Sequence, residues 1–96
     1  MTAADRVCLD YRAAFLRYLS RRDEAPLHAG YQIGRSALSD GLSILELTQI
    51  HHIVLLDVLK TVDRDGLDEV ASAASEFLVE VLASYDMAQR GTPRPT

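Results

Sequence analysis

The chain has little of what holds small secreted proteins together. Its 96 residues include one cysteine, three prolines and no tryptophan, and only four Tyr and two Phe supply aromatic rings. The single thiol, Cys8, excludes an internal disulfide and is typical of a reducing compartment. The first residues lack the apolar segment of a signal peptide, and no apolar run approaches the ~20 residues of a membrane span. We therefore expect a cytoplasmic protein that does not contact a membrane and has a mostly aliphatic core.

Positive charge is also scarce. Ten Lys and Arg stand against fourteen Asp and Glu, which gives a formal net charge of -4 and a pI near 5.2. This balance argues against a nucleic-acid partner, because proteins that bind nucleic acids usually carry a basic stripe. Hydrophobic residues, in contrast, make up 48% of the chain, which is enough for the packed interior of one domain.

The stretch 40–47 predicts where one helix ends and the next begins. Gly41 supplies the stop, because glycine adopts the left-handed conformation at a helix C-terminus without a steric penalty. Ser43 and Glu46 follow as a Ser-x-x-Glu capping box, in which each side chain accepts a hydrogen bond from the other residue's backbone N–H. The stretch therefore indicates a helix, a turn and a second helix.

Hydrophobic periodicity predicts four helices and no strand. The expected ranges are about 3–22, 26–40, 44–62 and 67–89, with 91–96 as a linker or disordered tail. The rows expected to face the core are Val7, Tyr11, Ala14, Phe15 and Tyr18; Leu27, Tyr31, Gly34 and Leu38; Leu47, Ile50, Val54 and Val58; and Leu67, Val70, Ala74, Phe77 and Val81. The fold class that follows is all-α, a four-helix bundle.

Two features of these helices predict self-association. The first helix carries, besides its core row, a second apolar row that includes Leu9, Ala13 and Leu16. A small bundle can cover one such row, so a second row predicts contact with another molecule. The third helix is apolar on most of its circumference, which is typical of a helix that is central in a domain or buried in an oligomer. We expect a homodimer with Leu9, Ala13 and Leu16 in its interface.

Gly30 and Gly34 lie inside the predicted second helix. Each glycine there costs about 1 kcal/mol relative to alanine. Either another helix approaches closely at this Gly-x-x-x-Gly pattern, or the fold simply tolerates the two glycines.

The residues that most often carry chemistry are not arranged for it. His51 and His52 are adjacent on a helix, so their side chains point about 100° apart and cannot chelate one ion as an i, i+4 pair does. We expect His51 to be a hydrogen-bonded core histidine and His52 to lie at the surface. His28 has no Cys or His at ligand spacing, and Cys8 has no neighbour that would activate its thiol. We therefore expect no catalytic residue, no metal, no cofactor and no enzymatic activity.

Several short blocks occur in an order that is found in one known family. They are Tyr11 with Arg17-Tyr18, Leu27, the helix from Tyr31 to Leu38, Ile50-His51 with Val54-Leu55, Phe77-Leu78-Val79-Glu80-Val81, and Tyr85-x-Met87-Ala88. Together they run from about Val7 to Gln89. By these blocks the chain resembles the N-terminal helical domain of RsbU-type phosphatases, which regulate bacterial general stress signalling.

This resemblance implies an all-α, four-helix domain that forms a homodimer and is similar in architecture to the C-terminal domain of the clock protein KaiA. In the family, the domain receives a protein activator, the RsbT-like serine kinase, which is released from a larger stress-sensing complex. Activator binding switches on a C-terminal metal-dependent phosphatase that dephosphorylates an anti-sigma factor antagonist. No such phosphatase domain is contained in these 96 residues.

The resemblance also implies that the activator docks on the second and fourth helices. The residues expected to form this partner surface are Leu27, His28, Gln32 and Arg35 on the second helix and Val79, Ala83 and Asp86 on the fourth. Two alternatives remain open. One is a purely structural dimerisation domain without a separate activator, and the other is a small ligand-binding or metal-binding protein centred on His51.

Overall fold

The computed structural model describes residues 1–91, which form four α-helices. These are α1 (Ala3–Arg21), α2 (Glu24–Ser39), α3 (Ile44–Leu59) and α4 (Leu67–Arg90), with a short 3-10 helix (Arg64–Gly66) directly before α4. No strand occurs in this part of the chain, so the predicted all-α fold is confirmed. Residues 92–96, most of the expected tail, lie outside the described residues.

The four helices follow the order α1, α2, α4, α3 around the bundle. Each helix packs against the next in this order, α1 also contacts α4 across the bundle, and contact between α2 and α3 is at most marginal. α1 and α3 therefore share one side of the bundle, and α2 and α4 share the opposite side. None of the helices within residues 1–91 combines the length and the apolarity that crossing a membrane requires.

Local sequence sets the turns between the helices. The Ser43 hydroxyl accepts a hydrogen bond from the backbone N–H of Glu46 at 3.1 Å, and the Glu46 carboxylate accepts from the N–H of Ser43 at 3.0 Å. The capping box is thereby confirmed, and Gly41 has the left-handed φ of 81° expected after α2. α3 ends before position 62, because the chain turns there and the Asp63 side chain caps the 3-10 helix.

Aromatic rings of α1 converge on Phe77 of α4 at the centre of the core. The Phe77 ring centroid lies 5.1 Å from that of Tyr11, 5.7 Å from that of Phe15 and 5.9 Å from that of Tyr18. Edge-on and tilted ring contacts of this kind stabilise a core beyond the burial of area alone. The core rows predicted for α1 and α3 are confirmed at every residue.

The core row predicted for α2 is wrong at its large residues. Leu27, Tyr31 and Leu38 are only half-buried. The buried residues of α2 are Pro26, Gly30, Ile33, Gly34 and Ala37. The prediction assumed that the largest apolar side chains face the core, but α2 packs on its small residues instead. Leu67 is also exposed, because α4 enters the core only one turn later, at Val70.

α2 and α4 approach each other so closely that Gly34 has no room for a side chain. A Cβ atom at Gly34 would collide with the Ser84 hydroxyl and with the backbone carbonyl of Val81. A Cβ atom at Gly30 would meet the Phe77 ring at 3.0 Å, a tight contact with a side chain that can tilt. Of the two interpretations of this Gly-x-x-x-Gly pattern, close helix approach is therefore the correct one.

Ion pairs connect the end of α1 to α4. Arg22, which ends α1 with a left-handed φ of 53°, extends its guanidinium to the carboxylates of Glu69 and Glu76. The Tyr18 hydroxyl also donates to Glu76 at 2.7 Å, and this hydrogen bond, together with that from Arg22, lowers the pKa of Glu76. The carboxylates are exposed, so these pairs orient the helix end more than they stabilise the fold.

Replacing Gly34 with alanine should strongly destabilise the fold. The added methyl group meets a backbone carbonyl that cannot rotate away, so α2 and α4 must separate along their contact. We expect Gly34→Ala to lower the free energy of unfolding by at least about 3 kcal/mol, although alanine itself favours a helix by about 1 kcal/mol. Urea denaturation followed by circular dichroism measures the change.

Gly30→Ala is the matched control. Its methyl group meets a ring, and the helix propensity of alanine offsets much of the strain, so we expect a change within about 1 kcal/mol. Equal stability of the two variants would contradict the conclusion that Gly34 positions α2 on α4.

Candidate protein-interaction surfaces

The three residues predicted for a dimer interface lie on the outer side of α1. Leu9 is 55% exposed and Leu16 is 43% exposed, and Ala13 between them is exposed as well. They follow one another at intervals of four and three residues, so they form one stripe on the side away from the core row, and Ala13 at its edge also lines the groove between α1 and α2. The stripe is therefore accessible to another molecule, and a second copy in this place stays a prediction.

α3 extends the apolar side of the bundle. Leu45, Ile53 and Leu56 are 64%, 53% and 45% exposed on its outer face, next to the exposed His52. The bundle covers only the inner half of this helix, which the sequence shows to be apolar on most of its circumference. A helix with apolar residues on both its inner and its outer face is typical of an interface.

An ion pair joins the exposed residues of α1 and α3. The Arg12 guanidinium donates to the Asp57 carboxylate at 2.6 Å, and this hydrogen bond lowers the pKa of Asp57. Arg12 lies between Leu9 and Leu16 along α1, and Asp57 follows Leu56 on α3, so apolar residues of both helices flank the pair. We call this region the α1/α3 surface, defined by Leu9, Ala13, Leu16, Ile53 and Leu56.

The residues predicted to bind an activator lie on the opposite side of the bundle. On α4, Val79, Ala83 and Asp86 are all exposed, Val79 at 66%. Their intervals of four and three residues place them on one stripe. Asp86 accepts a hydrogen bond from Arg90 at 3.1 Å and so has a partner within its own helix.

On α2, His28, Tyr31 and Arg35 form a ladder of contacts along the outer face. The His28 and Tyr31 rings stack with centroids 5.6 Å apart and planes 16° apart. The Arg35 guanidinium donates to the Tyr31 hydroxyl at 3.3 Å. Tyr31 is not among the residues predicted for this surface, although its i, i+3 and i, i+4 spacing from His28 and Arg35 indicates it. We call the whole region the α2/α4 surface, defined by Leu27, His28, Tyr31, Arg35, Val79, Ala83 and Asp86.

Two of the predicted partner residues differ from the rest in position. Leu27 is half-buried, and it lies two turns before Gly34, on the side of α2 that faces α4. Gln32 instead lines a groove of about 370 Å³ between α1 and α2, with Asp40 and with Asp10, Ala13 and Arg17 of α1. The groove and the α4 stripe lie on different sides of α2, so the predicted residues do not form a single patch.

His51 is hydrogen-bonded, as the sequence predicts, but it is half-buried at the edge of the core and not part of it. The Tyr11 hydroxyl lies 2.6 Å from its Nδ1 atom, and the two rings meet edge-on at 5.8 Å. Burial raises the pKa of Tyr11, so the hydroxyl keeps its proton and is available as a donor to Nδ1 of the neutral imidazole. Within residues 1–91, no three His, Cys, Asp or Glu side chains come together in a group that could hold a metal ion.

One comparison with known proteins gave a match. A family model described as "Phosphoserine phosphatase RsbU, N-terminal domain" matches residues 9–88. The match runs from α1 nearly to the end of α4, so it includes both surfaces, and it confirms the resemblance drawn from the sequence. Searches among curated proteins and among solved structures gave no match.

The Tyr11–His51 contact should make stability depend on pH. Burial lowers the pKa of His51 below its usual 6.5, and the charge of His52 lowers it further. The unfolded chain therefore binds this proton more readily than the folded chain. We expect the free energy of unfolding to be constant above about pH 6.5 and to fall as the pH is lowered from 6.5 to the pKa of folded His51. Urea denaturation at a series of pH values measures this slope.

Two variants test whether the pH dependence of the free energy of unfolding arises from His51. His52→Gln should keep most of it, because the removed side chain is exposed, whereas His51→Gln should remove it. The pKa values of Asp57 and Glu76 are lowered from 3.8 and 4.5, so these carboxylates do not titrate in the upper part of this window, just below pH 6.5. A slope that persists in His51→Gln would contradict the assignment.

Proposed function

The chain belongs to the family of N-terminal domains of the phosphoserine phosphatase RsbU, and we propose that it is a non-catalytic regulatory module of a bacterial stress-response pathway. The pathway would be a partner-switching one that controls sigma-factor activity through a serine phosphatase. The family model describes the N-terminal domain of that phosphatase and not its catalytic domain. The observation that carries the proposal is that one small bundle exposes two different surfaces on opposite sides.

In this proposal the α1/α3 surface binds a second copy of the chain. Leu9, Leu16, Ile53 and Leu56 are between 43% and 55% exposed, although each is a large apolar side chain. Exposed apolar residues that cluster in this way mark interaction sites, and permanent homodimer interfaces are more apolar than surfaces that bind transiently. A second copy would therefore remove the most unfavourable part of the surface from water.

The α2/α4 surface binds the activator, an RsbT-like serine kinase. Its α2 half presents an aromatic ring, Tyr31, between His28 and Arg35, and its α4 half presents Val79 beside Asp86. Tyrosine and arginine are enriched among the residues that contribute most to protein binding. The mixed character of this surface also lets it face water while the activator is absent.

The packing suggests how binding would be transmitted. α2 and α4 touch backbone to side chain at Gly34, so an activator that binds both helices moves them as one unit. This unit contacts α1 through Phe77 and through the ion pairs of Arg22. Because α1 also carries the proposed dimer interface, a shift of the unit changes how the two copies, and any phosphatase attached to them, are arranged.

Leu16→Glu tests the dimer. A carboxylate in the centre of the α1/α3 surface would be buried without a partner between two copies, so we expect a folded monomer. Light scattering across a concentration series should give twice 10.6 kDa for the wild type and 10.6 kDa for the variant. Leu67→Glu is the matched control, because Leu67 is 42% exposed but lies outside both surfaces. A wild-type chain that stays monomeric throughout would contradict the dimer.

A triple variant tests the activator surface. His28→Ala, Arg35→Ala and Val79→Glu together should weaken binding of an RsbT-like kinase from the same genome at least about tenfold, because hot-spot contacts are lost on both helices. Isothermal titration calorimetry measures the affinity, and light scattering should show an unchanged dimer. Wild-type affinity and signalling in the triple variant would instead support the purely structural dimerisation domain. A bound metal or small molecule in native mass spectrometry would support the His51-centred alternative.

A further inference from the structure

The charged residues of α1 fall into two groups. Arg12, Arg21 and Arg22 all pair with carboxylates of the same chain. Asp10 and Arg17 are exposed, and neither makes an ion pair or a side-chain hydrogen bond within residues 1–91. They are seven residues apart, so they lie on the same flank of the helix, the one that lines the groove against α2, about 10.5 Å from each other along its axis. That distance is too long for them to pair within one helix.

Asp10 and Arg17 are placed symmetrically about the apolar stripe of α1. The midpoint between them falls at Ala13 and Ala14, and the midpoint between Leu9 and Leu16 lies one residue earlier. Ala13 is exposed and small, so a second helix can approach closely at this point. The stripe therefore has a leucine on each side of Ala13. Along its flank, the negative charge of Asp10 and the positive charge of Arg17 lie at equal distances from the point between Ala13 and Ala14.

We propose that α1 packs antiparallel against α1 of a second copy and crosses it near Ala13, with Asp10 of each copy paired to Arg17 of the other. The inference rests on the homodimer of the proposed function and specifies its register. A two-fold axis perpendicular to α1 makes the two helices antiparallel and brings the same flank of each copy together. Both Asp10–Arg17 ion pairs between the copies therefore form at once. Leu9 of one copy then lies against the region of Leu16 of the other.

The parallel orientation gains nothing from the same charges. In a parallel pair, the two-fold axis runs along the helices and places the flank with Asp10 and Arg17 on opposite sides of the contact, so neither residue forms an ion pair with its counterpart in the other copy. Arg6 is a third exposed charge on this flank, and in the antiparallel pair it lies towards Arg21 of the other copy. Arg21 is already held by Asp23 at 3.2 Å, and these residues are about 11 Å from the crossing, where the helices diverge.

Charge exchange tests the register. In the dimer, Asp10→Arg places an arginine opposite Arg17 of the other copy at both contacts. Arg17→Glu likewise places a glutamate opposite Asp10 of the other copy at both contacts. We expect each single variant to raise the dimer dissociation constant at least about tenfold, and the double variant to return it to within about threefold of wild type. Analytical ultracentrifugation at low salt measures these constants, and circular dichroism checks that every variant remains helical.

Mixing and salt give two further readouts. Asp10→Arg mixed with Arg17→Glu should form heterodimers more tightly than either variant forms homodimers, because both cross pairs are then opposite in sign. Added salt should strengthen the homodimers of the single variants and weaken the wild-type dimer, since it screens repulsion in the former and attraction in the latter. Heterodimers weaker than the homodimers, or a salt dependence of opposite sign, would overturn the register.

The outcomes separate this inference from the proposed function. If the single variants dimerise as tightly as wild type while Leu16→Glu is monomeric, the dimer stands and the antiparallel register is refuted. If only the double variant fails to recover, the pairing of Asp10 with Arg17 is refuted. A monomeric wild type overturns the dimer itself, and with it this register.

Discussion

The close approach of α2 and α4 at Gly34 is the constraint on which the arrangement of the bundle depends. A side chain at this position would meet Ser84 and the carbonyl of Val81, so the two helices can be this near only because the side chain is missing. Ser84 is buried in the contact and donates to its own helix at 3.0 Å, which satisfies its hydroxyl without a partner on α2. The same closeness leaves no space between the helices for Leu27, Tyr31 or Leu38. These residues remain at the edge of the contact, and there they become part of a surface.

Phe77 links this rigid pair to the other side of the bundle. Its ring contacts three rings of α1, and one of these, Tyr11, hydrogen-bonds to His51 of α3 at 2.6 Å. A continuous path of packed rings and one hydrogen bond therefore runs through the core from α4 through α1 to α3. Tightly packed interfaces of this kind tend to have discrete arrangements and do not deform continuously. In the proposed function, the path is the physical connection between activator binding and the relation of the two copies.

The parts of this structure that could be predicted are those decided by local sequence. The capping box of Ser43 and Glu46 and the apolar rows of α1 and α3 depend on neighbours along the chain, and all were found. The core face of α2 was not found, because it is decided by how closely α4 approaches and not by the size of the side chains on α2. Likewise, the periodicity of α3 did not separate its inner from its outer face, since both are apolar. Ile53 and Leu56 could be assigned to a surface only after the position of the helix was known.

The two surfaces differ in a way that corresponds to different lifetimes of contact. Four large aliphatic residues dominate the α1/α3 surface, whereas the α2/α4 surface combines Val79 with Tyr31, His28, Arg35 and Asp86. An apolar surface that is uncovered for long periods favours aggregation, so it suits a partner that is always present at the same concentration, such as a second copy. A mixed surface is soluble on its own, and its polar groups already have partners in Tyr31 and Arg90. Because those bonds must be given up or rearranged when a partner binds, affinity there stays moderate and binding reversible, which is what a switched activator requires.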